Sequence, residues 1–271
     1  MHPFPHIAIY GLGRFGRALH DAVTALGMPA RGGGRQTGPA ALLQGLPAGS
    51  LVMLSVPDDA ISAVATQFAA LANAGTHAYV HACGAYGPVL LQPLAQAGAA
   101  TGAFHILQSF PAQGGASRVA GSWCAIDAPP GLHEKLFALA TALGTHPFSL
   151  PEGARAAYHA AAVVASNALV ALQGLAQQVA THGGIQPDEA ASMLMPLVRG
   201  TLANVEARGP AAALTGPVAR GDAETLRRHL AAMGNEAAAG YRAALELTIR
   251  FALDADRISA IQAAALRAAL A

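Results

Sequence analysis

Between Ala156 and Ala180 the chain carries no Asp, Glu, Lys or Arg, yet three polar side chains capable of chemistry interrupt this apolar run: His159, Ser166 and Asn167. On a regular helix, at about 100° per residue, His159 and Ser166 fall within about 20° of each other and Asn167 about 80° round, so one groove can hold all three. Histidine titrates in the range useful for general acid/base work, which makes His159 the candidate proton carrier and Asn167 a candidate positioning group. A second set lies in ALTGPVARGD, residues 213–222. Gly216-Pro217 fixes a turn and Gly221 permits close backbone approach, so that Thr215, Arg220 and Asp222 are presented together. Arg220 can clamp a carboxylate through a planar two-point contact, with Thr215 adding a hydroxyl donor. The structural alternatives are a core histidine bonded to backbone carbonyls, an Asp222 that caps a helix starting at 223, and a solvated Arg220.

The elements that must position these groups begin with HIAIY (6–10), a short apolar run followed at once by GLGRFG and a helical pattern through Leu19, Val23 and Leu26. Strand, tight turn and helix in that order give the pattern Gly11-x-Gly13-x-x-Gly16 a ligand context. The glycines allow a tight turn, approach of a pyrophosphate to backbone N–H groups, and close packing of helix on strand. Leu12, Arg14 and Phe15 lie in the same turn. An acidic residue about 20 positions on would bond the ribose 2′-hydroxyl of NAD. None occurs between Asp21 and Asp58; Arg31, Arg35, Gln36 and Thr37 stand there instead. A donor-rich loop of this kind favours the 2′-phosphate of NADP(H), with Arg35 as its first ligand.

Further units keep the rhythm. SLVMLSVP (50–57), HAYVHACG (77–84), ATGAFHILQSF (100–110) and SWCAIDA (122–128) read as strands, and 58–73, 88–97 and 131–143 as helices. Alternation of this kind predicts a Rossmann-type doubly wound parallel sheet whose ligands lie beyond the strand carboxyl ends. Val56, Pro57, His81, Gly84, His105 and Gln108 are therefore expected to line one crevice. THPFSLPEG reads as a Pro/Gly-rich hinge, which places a boundary near 150: an α/β domain over 1–150 and an all-α domain over 151–271. The second domain is read as a helix over 152–182, buried at its centre, then 187–208 bent at Pro196, and helices near 222–233, 235–253 and 255–270.

Composition narrows the function classes. The 271 residues are 53% hydrophobic and 11% charged, with 16 basic against 15 acidic residues and no basic cluster, so the electrostatic footprint of a nucleic-acid binder is missing. Two cysteines and a start without a basic flank predict neither a disulfide framework nor a secretory signal, and the expected location is the cytoplasm. The run 156–180 is long enough to cross a membrane, but its polar residues and many alanines favour a core helix. His77 and His81 are four apart on a strand, about 13 Å, too far for one metal, so no metal is expected.

Taken together, the glycine fingerprint, SVPDDAI, HACGAYG, FHILQSF, YHAAAVVASN and ALTGPVARGD resemble the family that joins a Rossmann-like domain to a C-terminal DUF2520 domain. Cys83 and Ile106 stand where that family commonly has Ser and Pro. The layout is similar to that of pyrroline-5-carboxylate reductase, ketopantoate reductase, prephenate dehydrogenase and the β-hydroxyacid dehydrogenases. The resemblance implies the fold and an NADP(H) cofactor; with the residues above, the expected activity is that of an oxidoreductase moving a hydride to or from a small carboxylate-bearing molecule at a C=O, C–OH or C=N centre. His159, Asn167 and Arg220 would be catalytic, and His105, Gln108, Ser166, Thr215 and Asp222 would contact substrate. Related enzymes often place a Lys and an Asn on this helix, but Lys135 is the only lysine here, so His159 takes that role. The other reading is an NADP-binding sensor without chemistry. A homodimer through the apolar helices suits both.

Overall fold

In the computed structural model, which describes residues 2–271, the run IAIY forms β1 (Ile7–Tyr10), and all four of its residues are buried. Ile7 and Ile9 join one apolar cluster and Ala8 and Tyr10 the other. A strand covered on both faces must be apolar throughout, which is why the sequence shows no alternation here. The chain continues through α1 (Arg14–Ala25), β2 (Ala30–Gly33), α2 (Gly38–Leu43), β3 (Leu51–Leu54), α3 (Ile61–Ala69), β4 (Ala78–His81) and α4 (Gln92–Gln96). It then forms β5 (Ala100–Leu107), β6 (Trp123–Asp127), α5 (Pro130–Ala142), β7 (His146–Ser149) and α6 (Arg155–Val163).

The seven strands lie in the order β2-β1-β3-β4-β5-β6-β7. All neighbours run parallel except β5 and β6, which are antiparallel with His105 opposite Ala125. The sheet is wound on both faces. Leu19 and Val23 of α1 and Leu132, Leu136 and Leu139 of α5 pack with Ile7, Ile9, Met53 and Phe104. Leu42, Leu43, Ile61, Phe68 and Leu94 pack with Ala8, Tyr10, Val52 and Tyr79 on the other side. Because β2 and β3 flank β1, the winding reverses at β1, and a crevice opens at the carboxyl ends of β1 and β3.

Two strands lie where the sequence reads as loop. ARGG, part of the donor-rich loop, pairs with β1 as β2. Its glycines are accounted for by packing: a Cβ on Gly32 would come within 2.7 Å of the Leu12 side chain. The stretch read as a hinge contains β7, held against β6 while the Trp123 ring packs on His146 and Phe148 at 5.4 and 5.7 Å. In both cases pairing along a sheet edge overrides weak local propensity.

By contacts the chain divides into two compact units, one up to Val164 and the other Ala165–Ala271. The second unit holds α7 (Leu169–His182), α8 (Pro187–Ala213), α9 (Pro217–Arg220), α10 (Ala223–Ala231), α11 (Asn235–Asp254) and α12 (Ala260–Leu270). Its core is Val218, Leu226, Ile249, Ala252 and Leu266. The break in α8 falls at Gly209, whose φ of 75° and ψ of 162° are non-helical, ahead of Pro210; Pro196 lies inside the helix without such a break. The expectation of a buried central helix is corrected. In the helical stretch Arg155–His182 none of the most apolar window is buried, and Val163, Val164, Val170 and Leu172 are exposed. The polar residues within the run match that exposure.

Phe68 sits edge-on to both Tyr10 and Tyr79, with centroids 5.2 and 5.7 Å apart. Phe68→Ala removes the centre of that face, and the expected loss is about 3–5 kcal/mol, measured as a lowered urea midpoint at unchanged slope.

Candidate active site

The turn after β1 is shaped by two close approaches. A Cβ on Gly11, whose φ is +104°, would overlap the Ser55 carbonyl, and one on Gly16 would overlap the carbonyl of Gly11. Gly13 has open space around it instead and stands at the N-cap of α1 with no side chain capping the helix. Arg17 Nε donates to the Leu12 carbonyl at 2.8 Å and steadies the turn. The N-terminus of α1 thus offers backbone donors and the positive end of its dipole.

Two cavities meet at this turn. One, of about 410 Å³, is lined by Tyr10, Gly11, Leu12, Gly34, Arg35 and Val64 among others. The second, of about 370 Å³, is lined by Arg14, Phe15, Asp58, His105, Gln108 and Phe110 among others. Gly13, Ser55, Val56 and Pro57 line both. Of the donor-rich segment only Arg35 reaches a cavity wall. Arg31 Nη1 donates to the carbonyls of Leu42 and Gln44 at 3.3 and 2.8 Å and closes the end of α2, while Gln36 and Thr37 are exposed.

Behind the second cavity stands a cluster of imidazoles. His81 is fully buried and satisfied: its Nδ1 accepts from the Cys83 N–H at 3.2 Å and its Nε2 meets the Gly87 carbonyl at 2.9 Å. It shapes the turn after β4, and its burial pulls its pKa below the ordinary value. Cys83 is buried too, which pushes its thiol up. His105 Nδ1 lies 2.7 Å from the Tyr158 hydroxyl. Its ring faces that of His159 at 6.4 Å between centroids. Gly84 lets the two rings converge. A Cβ there would come within 2.9 Å of His105 Nε2 and 2.7 Å of His159 Nδ1. His159 Nδ1 is shut from solvent and has no hydrogen-bond partner among the described residues. Arg155, only 9% exposed, brings a guanidinium to the same cluster, with Nη2 at 3.5 Å from the half-exposed Asp127 carboxylate.

Sequence reasoning missed Tyr158 and Arg155. A signal was present: 155, 158 and 159 have the i, i+3, i+4 spacing of one helix face. Gln108 lines the second cavity, its side-chain oxygen accepting from the Ser109 N–H at 2.8 Å. Ser166 and Asn167 are exposed and belong to a π-helical turn, Val164–Ala168. That wider turn ends the regular 100° count, so the phase from His159 to Ser166 is not the one expected. In the second unit, Gly216 (φ +89°) precedes Pro217 at the start of α9, Gly221 (φ +69°) ends it, and Asp222 caps α10. Both Asp222 oxygens are engaged by Thr225, at 3.1 Å from its N–H and 2.6 Å from its hydroxyl. Those bonds hold the carboxyl below its usual range. Arg220 is about two-thirds exposed and 4.0 Å from Asp222, and Thr215 lines a separate groove beside α8.

Comparison with known families and structures agrees with this fold. Residues 39–106 match the Rossmann-like domain and residues 122–248 match a domain of unknown function, DUF2520. The chain carries a Rossmann-like domain and a DUF2520 domain. The DUF2520 match takes in Tyr158, His159 and the Thr215–Asp222 loop, and the Rossmann-like match takes in Ser55–Pro57, Gly84 and His105. No curated protein matches the sequence significantly. Among solved structures, a Bacteroides fragilis protein provisionally named an NADP oxidoreductase aligns over 98% of this chain and 99% of its own, with TM-score 0.69 and 19% identity. A reductive aminase from Aspergillus terreus, solved with NADPH and ethyl levulinate, covers 91% of this chain and 94% of its own at TM-score 0.60 and 16% identity. Pyrroline carboxylate reductase from Plasmodium falciparum, solved with NADP, covers 98% and 99% at TM-score 0.58 and 9% identity. These likenesses establish the fold.

The buried imidazoles give the molecule a defined acid response. Burial, followed by the neighbouring His159 and Arg155, pulls His105 down to about 4, and burial also lowers His77 and His81. An unfolded histidine takes its proton near 6.5. The unfolded chain therefore binds more protons between about pH 6.5 and pH 4, so this stability is complete above that window and is lost as pH falls through it. His105 alone contributes about 3 kcal/mol. Urea midpoints at pH 7.5 and 4.5 check this, and His105→Gln is expected to shrink the difference.

Proposed function

We propose that the protein is an NADP(H)-dependent oxidoreductase that moves a hydride to or from a small carboxylate-bearing substrate at a C=O, C–OH or C=N centre. The observation that carries this reading is the pair of cavities meeting at Gly13 and Ser55–Pro57, one ending at Arg35 and the other at His105. A dinucleotide needs such a passage. Its pyrophosphate would pass the open Gly13 at the start of α1, where backbone N–H groups and the helix dipole favour an anion. Gly11 and Gly16 leave no room for side chains, which keeps the backbone within reach. Arg35 would meet the 2′-phosphate, and no carboxylate follows β2 to take a free ribose hydroxyl instead.

When bound, the nicotinamide supplies or accepts the hydride. The residues of this chain would manage the proton. His159 Nδ1, unpartnered beside Gly84, takes the hydroxyl proton as an alcohol carbon loses its hydride and returns it in the reverse direction. His105 and Gln108 face the same cavity and would orient the reacting group. Arg220, about two-thirds exposed and 4.0 Å from Asp222, would offer its guanidinium to a carboxylate, and the exposed Asn167 would serve in positioning.

Calorimetric titration with NADPH and NADH tests the cofactor reading. NADPH is expected to bind more tightly than NADH, and Arg35→Ala to weaken NADPH roughly 10- to 100-fold through loss of one charge-assisted phosphate contact. Equal affinity for both cofactors, or an Arg35→Ala variant that binds NADPH normally, would overturn it.

The same reading includes a homodimer. The unburied apolar helical stretch is the support for it, since an apolar face of that extent is stable in water when a second copy covers it. Size-exclusion chromatography with light scattering is expected to give twice the chain mass at micromolar concentration; a strict monomer would remove the dimer.

A further inference from the structure

The proton positions at His105 follow from its surroundings. The 2.7 Å contact between His105 Nδ1 and the Tyr158 hydroxyl has two possible directions. Burial pushes the Tyr158 phenol up to about 12, so it keeps its proton at neutral pH. His105, pulled down to about 4, is neutral there and carries one ring proton. If that proton sat on Nδ1, the phenolic hydrogen would have no acceptor among the described residues. With the phenol donating, Nδ1 is the acceptor and the imidazole proton is on Nε2. Nε2 is the nitrogen beside Gly84, on the side of His159.

Charges of both signs surround this nitrogen: Arg155 acts on His105 to lower its proton affinity and Asp58, which lines the same cavity, to raise it. Arg155 lies within the cluster, nine-tenths buried, and neither Nη1 nor Nη2 has a hydrogen-bond partner among the described residues. Its counter-ion Asp127 is 3.5 Å away and half exposed, so solvent screens the carboxylate more than the guanidinium. A substrate atom arriving beside Gly84 meets a hydrogen-bond donor, with the Arg155 guanidinium and the Asp58 carboxylate both acting on its ring.

We infer that Tyr158 is a positioning residue: its hydroxyl donates to His105 Nδ1, so that His105 presents an Nε2–H donor beside Gly84 to a reacting carbonyl or hydroxyl oxygen. This rests on the reading of the cleft as an oxidoreductase site and deepens it. A carbonyl oxygen accepts from His105. An alcohol accepts from His105 and donates to His159.

The test is ¹⁵N NMR of the histidine rings in the full-length protein at neutral pH, with His105 assigned by its loss in His105→Gln. The expected wild-type pattern is a bare Nδ1 and a protonated Nε2. In Tyr158→Phe the Nδ1 signal is expected to shift as its donor is removed. A protonated Nδ1 in the wild type, or ring signals unchanged in Tyr158→Phe, overturns the positioning role; the wild-type spectrum decides this even if the variant fails to fold. With NADPH present, 2-oxobutanoate is expected to shift the His105 Nε2 signal as its carbonyl oxygen accepts from that N–H. No shift overturns the donor role toward a reacting oxygen. An NADPH titration on the same samples separates the two failures: absence of cofactor binding counts against the oxidoreductase reading, while the tautomer result stands by itself.

Discussion

The approach of Gly11 to the Ser55 carbonyl, and of Gly16 to the carbonyl of Gly11, is the constraint on which the candidate site depends. These contacts bring β1, α1 and the end of β3 closer together than any residue with a Cβ allows. The cost is conformational freedom in the unfolded chain. The return is a turn thin enough to form a shared wall of two cavities, with the start of α1 opening onto it. Arg35 and His105 lie in different cavities because β2 and β4–β5 extend to opposite sides of the β1–β3 crossing point.

A second bare position, Gly84, organises the imidazoles. Its missing side chain gives His105 and His159 a common neighbour, although one stands on β5 and the other on α6. The two rings have different constraints. His105 is tied through Nδ1 to Tyr158, whereas His159 Nδ1 is untied and buried. His81, which has the same residue type and the deepest burial of the three, has both nitrogens occupied and shapes the backbone. Hydrogen-bond saturation, more than residue identity, separates the structural histidine from the two available for chemistry.

The helical unit is explained largely by capping and turn chemistry. Ser259 and Gln262 make a reciprocal capping box at α12, Asp222 caps α10, and Gly216 and Gly221 bracket the short α9. The loop ALTGPVARGD is thus first a device that stops and restarts helices, and its exposed Arg220 is what that device leaves over. The helical stretch from Arg155 to His182 has the opposite character, since none of its most apolar window is buried.

The sequence by itself determined whatever depends on local chemistry or on continuous burial. The apolar runs of β1 and β3, the glycine fingerprint, the proline and acidic residues at the start of α8, and the Asp222 cap were legible because neighbours in the chain set their geometry. The lack of an acidic residue after β2 was legible too. Tertiary structure decided the rest. ARGG and HPFS became strands because partner edges bonded them, against their own propensities. The break in α8 went to Gly209, where positive φ is free of strain, and the π turn at Val164–Ala168 shifted the phase on which Ser166 and Asn167 were counted. The Tyr158–His105 bond joins residues 53 apart, and Arg155 reaches Asp127 across 28 positions. Such pairings are selected by the folded sheet and the helix laid beside it, and no period along the chain encodes them.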